Sequence, residues 1–272
     1  MTVVLGVVAP HGDPAFVEGS PTRLAMEDLG ARVARAAPDI IVVVTPHNVH
    51  VEGAFAVVTA ARLAGTLEEQ PLDLVAAGEP APVELTVEVD VEAAADVLGA
   101  FRAAGLPAVG VSYGSNDESL AVMPLDWGTL IPLWFLGARA APPCPVVVIS
   151  PARDRPLGDH VRAGAALAAA LEDRTAVVVA SADHGHAHDP DGPYGFNVAA
   201  AEYDERVVEL VRESRLGDTL ALGSIVHAAY ADSLWQLAVL HGALGDGFRA
   251  ELLSYERPTY FGMLCAAFEP LD

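Results

Sequence analysis

The sequence predicts an α/β fold, a single domain over residues 1–272 in which helices flank a largely parallel or mixed central sheet. Short apolar runs rich in β-branched residues, such as 39–45 and 145–150, have the composition of strands that are buried on both faces. Ala-rich segments with helical periodicity, such as 91–104 and 161–171, alternate with these runs, as parallel α/β sheets require. No internal repeat or linker divides the chain, so we expect one domain.

The first helix has the clearest boundary, because Ser20 is a good N-cap and Pro21 suits the first helical position. Residues 60–83 are mixed and rich in Pro, Gly and acidic groups, and we expect a loop or flap there. Strands are predicted at 3–9, 39–45, 55–59, 83–91 (an edge strand), 108–111, 145–150, 175–180, 251–255 and 260–267. Helices are predicted at 21–36, 91–104, 130–136, 161–171, 197–215 and 224–242, the last capped by Ser224.

The composition excludes several classes of function. With 52% hydrophobic and 19% charged residues the chain is globular, and its net charge of −22 disfavours nucleic acid and anionic membranes as partners. No apolar run reaches about 18 residues, which a membrane-spanning helix needs. The N-terminus lacks the basic region of a signal peptide, and two cysteines form no disulfide framework. We therefore expect a cytoplasmic protein.

The most polar feature of the chain is the stretch 181–189, which holds three histidines and two aspartates and follows the apolar run 175–180. Loop residues come after it, so these histidines lie where a buried strand ends and a loop begins. Ligands bind at that edge of open α/β sheets. Taken alone, the stretch is equally compatible with a polar surface loop.

Two further histidines occupy matching positions. His11 follows the first predicted strand and His47 the second, each directly after a proline. Two parallel strands joined by a helix would bring both imidazoles to one sheet edge. Imidazole is the commonest ligand of zinc, iron and similar metals, so the pair predicts a metal site, although each histidine singly could be a turn residue.

A carboxylate is expected as the third ligand, which would give the two-histidine, one-carboxylate set of non-haem iron(II). Asp232 is the first candidate, because it lies within an otherwise apolar predicted helix where an unpaired carboxylate is costly to bury. It could also face solvent on an amphipathic helix. The competing carboxylates are Asp13, Asp183, Glu251 and Glu256.

Over most of its length the chain resembles the class III extradiol ring-cleavage dioxygenases, the catalytic-subunit superfamily of protocatechuate 4,5-dioxygenase that includes the Memo proteins. Each matching motif is short, and their order and spacing carry the resemblance. The motifs are Ala9-Pro10-His11-Gly12, Thr45-Pro46-His47, Met123-Pro124-Leu125-Asp126 with Gly128, Ser181-Ala182-Asp183-His184-Gly185-His186, and Tyr230-Ala231-Asp232-Ser233.

The resemblance implies His11, His47 and Asp232 as metal ligands, although the family usually has Glu or, in Memo proteins, Cys at the last position. It implies His186 as the acid/base catalyst, with His184 as its rival. One motif departs from the family, because Trp127 stands where a second acid/base or substrate-contacting histidine is usual. An indole cannot shuttle a proton and can only donate one hydrogen bond or stack on a ring.

The resulting hypothesis is an extradiol dioxygenase that uses Fe(2+) and O2 to cleave a catechol-like aromatic substrate. Trp127 and His50 are the candidate substrate contacts, and Arg23 and Arg257 are candidates for a substrate carboxylate. We expect a homodimer or higher homo-oligomer. The alternatives are a Memo-like, non-enzymatic metal-binding protein and a hydrolase that uses Zn(2+) or Mn(2+) in the same pocket.

Overall fold

The computed structural model describes residues 3–67, 83–140 and 142–271, and it confirms the α/β fold with a mixed central sheet flanked by helices. The strands are β1 (Val3–Ala9), β2 (Ile40–Val44), β3 (Phe55–Val58), β4 (Arg62–Leu67), β5 (Val83–Glu88), β6 (Ala108–Val111), β7 (Val122–Pro124), β8 (Val146–Ser150), β9 (Ala176–Ser181), β10 (Phe248–Glu256) and β11 (Met263–Pro270). The helices are α1 (Pro21–Ala36), α2 (Val91–Ala103), α3 (Trp127–Phe135), α4 (Leu157–Ala170), α5 (Val198–Arg212) and α6 (Leu234–Leu244). Short 3-10 helices span Asp13–Phe16, Glu118–Leu120 and Leu216–Ser224.

The central sheet has eight strands in the order β10-β11-β1-β9-β2-β8-β3-β6. Its four middle strands, β1, β9, β2 and β8, run parallel, while β11 is antiparallel to β1 and β3 is antiparallel to β8. Every residue of β2, β8 and β9 is buried, as the apolar sequence of strands covered on both faces predicts. The carboxyl ends of all four parallel strands therefore meet at one edge.

Helix starts follow local capping chemistry. The Ser20 side chain accepts a hydrogen bond from the Arg23 backbone N–H and Pro21 begins α1, as predicted. Helix α3 begins earlier than predicted, because the Asp126 side chain accepts from the Thr129 backbone N–H and so places Trp127 at the first helical position. None of the helices in the described ranges has both the length and the apolarity needed to cross a membrane.

Two element predictions are wrong. Within the predicted loop or flap 60–83, residues 62–67 form β4, which pairs with β5 and β7 in a separate three-stranded sheet; residues 68–82 lie outside the described ranges. The predicted helix 224–242 also fails at its start, since Tyr230 has a left-handed φ of 52° and α6 begins only at Leu234. Asp232 thus precedes the helix, where the backbone can direct its carboxylate towards the sheet edge.

Candidate metal centre

His11 and His47 lie close together, as the strand-end argument predicts. His11 follows β1 and His47 follows β2, and these strands are the two neighbours of β9. Their Nε2 atoms are 3.0 Å apart, and the ring planes are inclined by 86°. His11 is buried and His47 is half-buried.

Asp232 completes a cluster with these two imidazoles. Its Oδ2 is 3.5 Å from His11 Nε2 and 3.3 Å from His47 Nε2. The ligand atoms of the three residues all lie within 4.8 Å of one another. The other oxygen, Asp232 Oδ1, is buried and has no hydrogen-bond partner among the described residues. Burying a carboxylate oxygen without a partner costs free energy. The cluster therefore has the ligand atoms of a cation site and an oxygen that a bound cation would satisfy.

A serine fixes the orientation of the His11 ring. Ser181 Oγ donates a hydrogen bond to the Gly128 carbonyl oxygen, so the same Oγ accepts from His11 Nδ1, 2.9 Å away. In a neutral His11 the proton is therefore on Nδ1, and the Nε2 lone pair faces the cluster. This is how metal-binding histidines are usually held by neighbouring groups.

His47 is held by the start of α3. The indole of Trp127 stacks on its imidazole with ring centroids 4.3 Å apart. Thr45 Oγ1 accepts from the His47 backbone N–H at 3.3 Å and donates to Asp126 Oδ1 at 2.8 Å. A Cβ at Gly128 would lie 2.6 Å from Thr45 Oγ1 and 3.1 Å from His47 Cδ2, so only glycine fits there. Trp127 remains 50% exposed.

The electrostatics of the cluster favour a positive charge. Burial lowers the pKa of His11, but the carboxylates of Asp183 and Asp232 outweigh it and raise that pKa to about 9. Burial acts to raise the pKa of Asp232, but His11 and His47 hold it well below its usual range. Burial raises the pKa of Asp183, whose Oδ1 accepts from the His11 backbone N–H at 3.0 Å. A proton or a metal cation can supply the charge that these groups favour.

Two of the four competing carboxylates are engaged away from the cluster. Glu256 accepts from the backbone N–H and the hydroxyl of Thr22, both at 2.7 Å, at the start of α1. Glu251 pairs with Arg32 at 2.9 Å, and Asp13 lies in the first 3-10 helix. Asp183 Oδ2 lies 3.5 Å from His11 Nε2, but Asp183 does not belong to the cluster of His11, His47 and Asp232.

The histidine loop after β9 lies beside this cluster. His186 Nδ1 is 2.7 Å from the His184 carbonyl oxygen, which can only accept, so Nδ1 carries a proton. Aromatic rings surround this imidazole, with Phe261 stacked at 5.3 Å and Tyr194 edge-on at 5.6 Å. An electrostatic interaction with His186 also lowers the pKa of Asp232, by less than the interactions with His11 and His47.

His184 has a different environment. It is 0% exposed, and its Nδ1 is 3.0 Å from Ser233 Oγ, the residue after Asp232. Burial lowers the pKa of His184 and so favours the neutral ring. Ser233 makes no capping hydrogen bond to α6, because its hydroxyl lies between His184 and Tyr203 OH, 2.9 Å away.

A buried aspartate that we did not predict anchors the loop. Asp204 of α5 accepts from the Gly185 backbone N–H at 2.7 Å and from Tyr255 OH at 2.7 Å, and it lies 2.9 Å from His188 Nε2. A Cβ at Gly262 would lie 2.1 Å from its Oδ2. The only sequence signal is one acidic residue on the apolar face of an otherwise acidic amphipathic helix.

His50 does not join the cluster. It is exposed and lines a neighbouring cleft together with Arg153 and Trp235. The two arginines that the sequence suggests for a substrate carboxylate are engaged elsewhere, since Arg257 Nη1 lies 2.8 Å from His188 Nδ1 and Arg23 pairs with Glu27 at 2.6 Å.

Comparison with known proteins identifies the family. The model of the catalytic LigB subunit of aromatic ring-opening dioxygenase matches residues 9–266. The chain belongs to this family. The match runs from the end of β1 to β11, so it includes every strand end and loop of the site. LigB-family proteins usually bind a metal, and the cluster of His11, His47 and Asp232 offers nitrogen and oxygen ligands for one.

This LigB-family chain is also similar to two individual proteins, one in sequence and one in fold. Protein CA_C1420 of Clostridium acetobutylicum is 25% identical over 240 residues, which cover 86% of this chain and 49% of that protein. The chain thus spans about half the length of this relative. The crystal structure of uncharacterized protein JW3007 from Escherichia coli K12 superposes with a TM-score of 0.60 at 19% identity, covering 97% of this chain and 99% of that one, and it shows the shared fold.

Proposed function

We propose that this chain is a non-haem iron(II)-dependent extradiol dioxygenase that cleaves a catecholic ring with O2. The observation that carries the proposal is the convergence of His11, His47 and Asp232 at the carboxyl edge of the parallel strands. Two imidazoles and one carboxylate are the protein ligands of non-haem iron(II) oxygenases. The family match to aromatic ring-opening dioxygenases supports the same chemistry.

Three observations support a bound cation such as iron(II) at this cluster. Ser181 holds His11 with its Nε2 lone pair towards the cluster. Asp232 Oδ1 is buried without a described partner, and the cluster as a whole favours positive charge. When bound, iron(II) would supply the positions at which a catechol and O2 meet and would pass electrons from the catechol to O2.

His186 is the group that we assign to proton transfer. Because its Nδ1–H donates to the His184 carbonyl, the neutral ring presents Nε2 as a base. It would accept a proton from a catechol hydroxyl and return it later in the reaction. His184 is fully buried, so we assign it a positioning role through Ser233, which adjoins Asp232.

The surroundings of His186 suit an aromatic substrate. Tyr194, Tyr260 and Phe261 place their rings within 6.0 Å of the imidazole, measured between centroids. Such rings exclude water and offer faces and edges to a flat apolar ligand. Trp127 leaves half of its surface exposed beside His47 and is our candidate contact for the substrate ring.

One observation favours a second function. Trp127 stands where the family resemblance predicts a histidine, and an indole cannot replace the proton transfer of an imidazole. A metal-binding protein without ring-cleavage activity, as in the Memo-like alternative, would retain the cluster and tolerate this change. The two functions differ in turnover, which can be measured.

The experiment uses protein purified without oxygen, loaded with iron(II) and mixed with a panel of catechols before O2 is added. We expect O2 uptake and a yellow ring-fission product with at least one catechol, and none with zinc-loaded protein. Iron-loaded protein that consumes no O2 across the panel would contradict the dioxygenase and favour the second function. Hydrolysis by the zinc- or manganese-loaded protein would instead indicate the hydrolase.

A further inference from the structure

His188 is buried in the histidine loop, between a cation and an anion. Arg257 Nη1 lies 2.8 Å from His188 Nδ1, and because a guanidinium can only donate, this Nδ1 accepts and carries no proton. The proton of the ring is therefore on Nε2, which donates to Asp204 Oδ2 at 2.9 Å. Both ring nitrogens are engaged, so the position and the rotation of this imidazole are fixed. We call Asp204, His188 and Arg257 the histidine clamp.

The histidine clamp joins three separate elements. Asp204 is in α5, His188 is in the loop that follows β9, and Arg257 begins the turn between β10 and β11. Asp204 makes further bonds in this region, because its Oδ1 accepts from the Gly185 backbone N–H and its Oδ2 from Tyr255 OH, both at 2.7 Å. One buried carboxylate and one buried imidazole therefore hold the loop, the helix and the turn together.

The turn 257–262 forms one wall around His186. Phe261 stacks on the His186 imidazole, with ring centroids 5.3 Å apart and planes inclined by 23°. The loop and the turn are also joined through their backbones, because the Gly262 N–H donates to the Gly185 carbonyl oxygen at 3.1 Å. The clamp therefore links the imidazole that we assign to proton transfer with an aromatic ring that lies against it.

His186 depends on the shape of this loop for its tautomer. Its Nδ1–H donates to the carbonyl oxygen of His184, which is 2.7 Å away and only two residues earlier. A change in the backbone between these residues removes the acceptor, and the ring then populates both tautomers. Only the Nδ1–H tautomer presents Nε2 as a base, so the loop geometry decides how much of His186 is ready to accept a proton there.

Two anchored side chains flank His186. His184 lies two residues before it, is buried and has its Nδ1 3.0 Å from Ser233 Oγ. His188 lies two residues after it and is held by the clamp. His186 itself is half-buried. The loop is therefore fixed on each side of its most accessible imidazole.

We propose that His188 is a positioning residue, which keeps His186 in its Nδ1–H tautomer because Asp204 and Arg257 fix the loop. The inference rests on the proposed function for its catalytic meaning, since His186 is the group that we assign to proton transfer. His188 lies outside the candidate metal cluster, so it acts on His186 rather than on the metal. A clamp that served stability alone would leave the His186 tautomer unchanged when the clamp is removed.

The test reads tautomers in the metal-free full chain, so that it does not depend on catalysis. Long-range proton–nitrogen correlation spectra of histidine-labelled protein are recorded at about pH 8.5, where histidines of ordinary pKa are neutral. We expect wild type to carry the His186 proton on Nδ1 and the His188 proton on Nε2. We expect both His186 tautomers in His188→Leu. In His188→Gln the Nδ1–H tautomer should persist, because an amide can donate to Asp204 and accept from Arg257.

His227→Gln is the control, since it removes an exposed imidazole outside the clamp, and its His186 tautomer should match wild type. Where His188→Leu fails to fold, Arg257→Ala opens the clamp at its exposed end and should also give both tautomers. A His186 that keeps only the Nδ1–H tautomer in folded His188→Leu, or in Arg257→Ala, would overturn the proposal. A His188 proton on Nδ1 in wild type would overturn the clamp itself.

Kinetics separate this inference from the proposed function. With iron-loaded protein, we expect His188→Leu to lower kcat by about ten-fold or more, with KM within about two-fold and metal content unchanged, and His188→Gln to keep most of kcat. A His186 tautomer that depends on His188 in a protein without ring cleavage would leave the clamp standing and remove the dioxygenase. Ring cleavage with equal kcat in wild type and folded His188→Leu would leave the dioxygenase standing and overturn the positioning role.

Discussion

The indole of Trp127 lies against the imidazole of His47, with ring centroids 4.3 Å apart and planes inclined by 29°. This stack restrains a histidine whose Nε2 is 3.3 Å from Asp232 Oδ2. In this chain the residue at the position of the family histidine therefore supports a candidate ligand. Neighbours that orient metal ligands typically change metal affinity by about 10–100-fold when they are removed.

The first prediction concerns this stack. We expect Trp127→Ala to weaken metal binding by about ten-fold, because His47 gains rotational freedom, while Trp127→Phe keeps most of the affinity. Competition with a chromophoric chelator measures both. Trp134→Phe is the control, since that indole packs on Arg139 and Phe16. Equal affinities for wild type and Trp127→Ala would show that the stack does not restrain His47.

The second prediction separates proton transfer from metal binding. We expect His186→Ala to retain its metal, because His186 is outside the ligand cluster, and to lower kcat by about 10²–10⁴-fold. Metal analysis and O2 uptake are measured on the same preparation. A variant with normal metal content and normal kcat would contradict the role that we assign to His186.

The third prediction concerns the anchor of the histidine loop. Asp204 is buried and accepts hydrogen bonds from Gly185 and Tyr255, so its removal leaves buried donors without a partner. We expect Asp204→Ala to lower the free energy of unfolding by about 3 kcal/mol. Urea denaturation measures the change. Glu202→Gln, an exposed carboxylate on the same helix, should change it by less than about 0.5 kcal/mol.

The fourth prediction is a pH dependence of stability away from the site. Burial lowers the pKa of His160 from 6.5 to about 4, while its Nδ1 lies 3.1 Å from the Pro156 carbonyl oxygen. Between these pH values the unfolded chain binds a proton that the folded chain does not, so stability falls as the pH falls from 6.5 towards 4. The loss from this one group is about 3 kcal/mol.

The variant His160→Gln isolates this contribution, because an amide can still donate to the Pro156 carbonyl and does not titrate. The difference in unfolding free energy between wild type and variant should be constant above about pH 7 and should shift in favour of the variant as the pH falls below 6.5. A difference that stays constant down to about pH 4 would contradict the prediction.

The site residues that lie directly after buried strands could be predicted from the sequence. Apolar β-branched runs identify the buried strands, and parallel strands bring the residues after them to one edge, which is why the sequence alone pairs His11 with His47. The helical position that the sequence predicts for Asp232 is wrong, although the residue does join the cluster. The left-handed φ of Tyr230 ends the preceding turns, and an aromatic residue gives no local signal for such a conformation.

Contacts between distant parts of the chain could not be predicted. Asp204 is one acidic residue among many in α5, and its burial depends on Tyr255 and the 185–188 loop packing over it. Arg153 comes shortly after the end of β8, and its contact with the Trp235 ring depends on how α6 packs against the sheet. The sequence of β4 is mixed and only weakly apolar, so the sequence alone predicts a loop there.

The central claim is that His11, His47 and Asp232 hold a metal, and metal analysis of anaerobically purified protein tests it most directly. We expect about one metal per chain in wild type and in His241→Ala, a histidine at the far end of α6. We expect His11→Ala and Asp232→Ala to lose it while keeping their circular dichroism. Full metal content in folded Asp232→Ala would show that this carboxylate is not a ligand, and a metal-free wild type after incubation with iron(II) would contradict the centre itself.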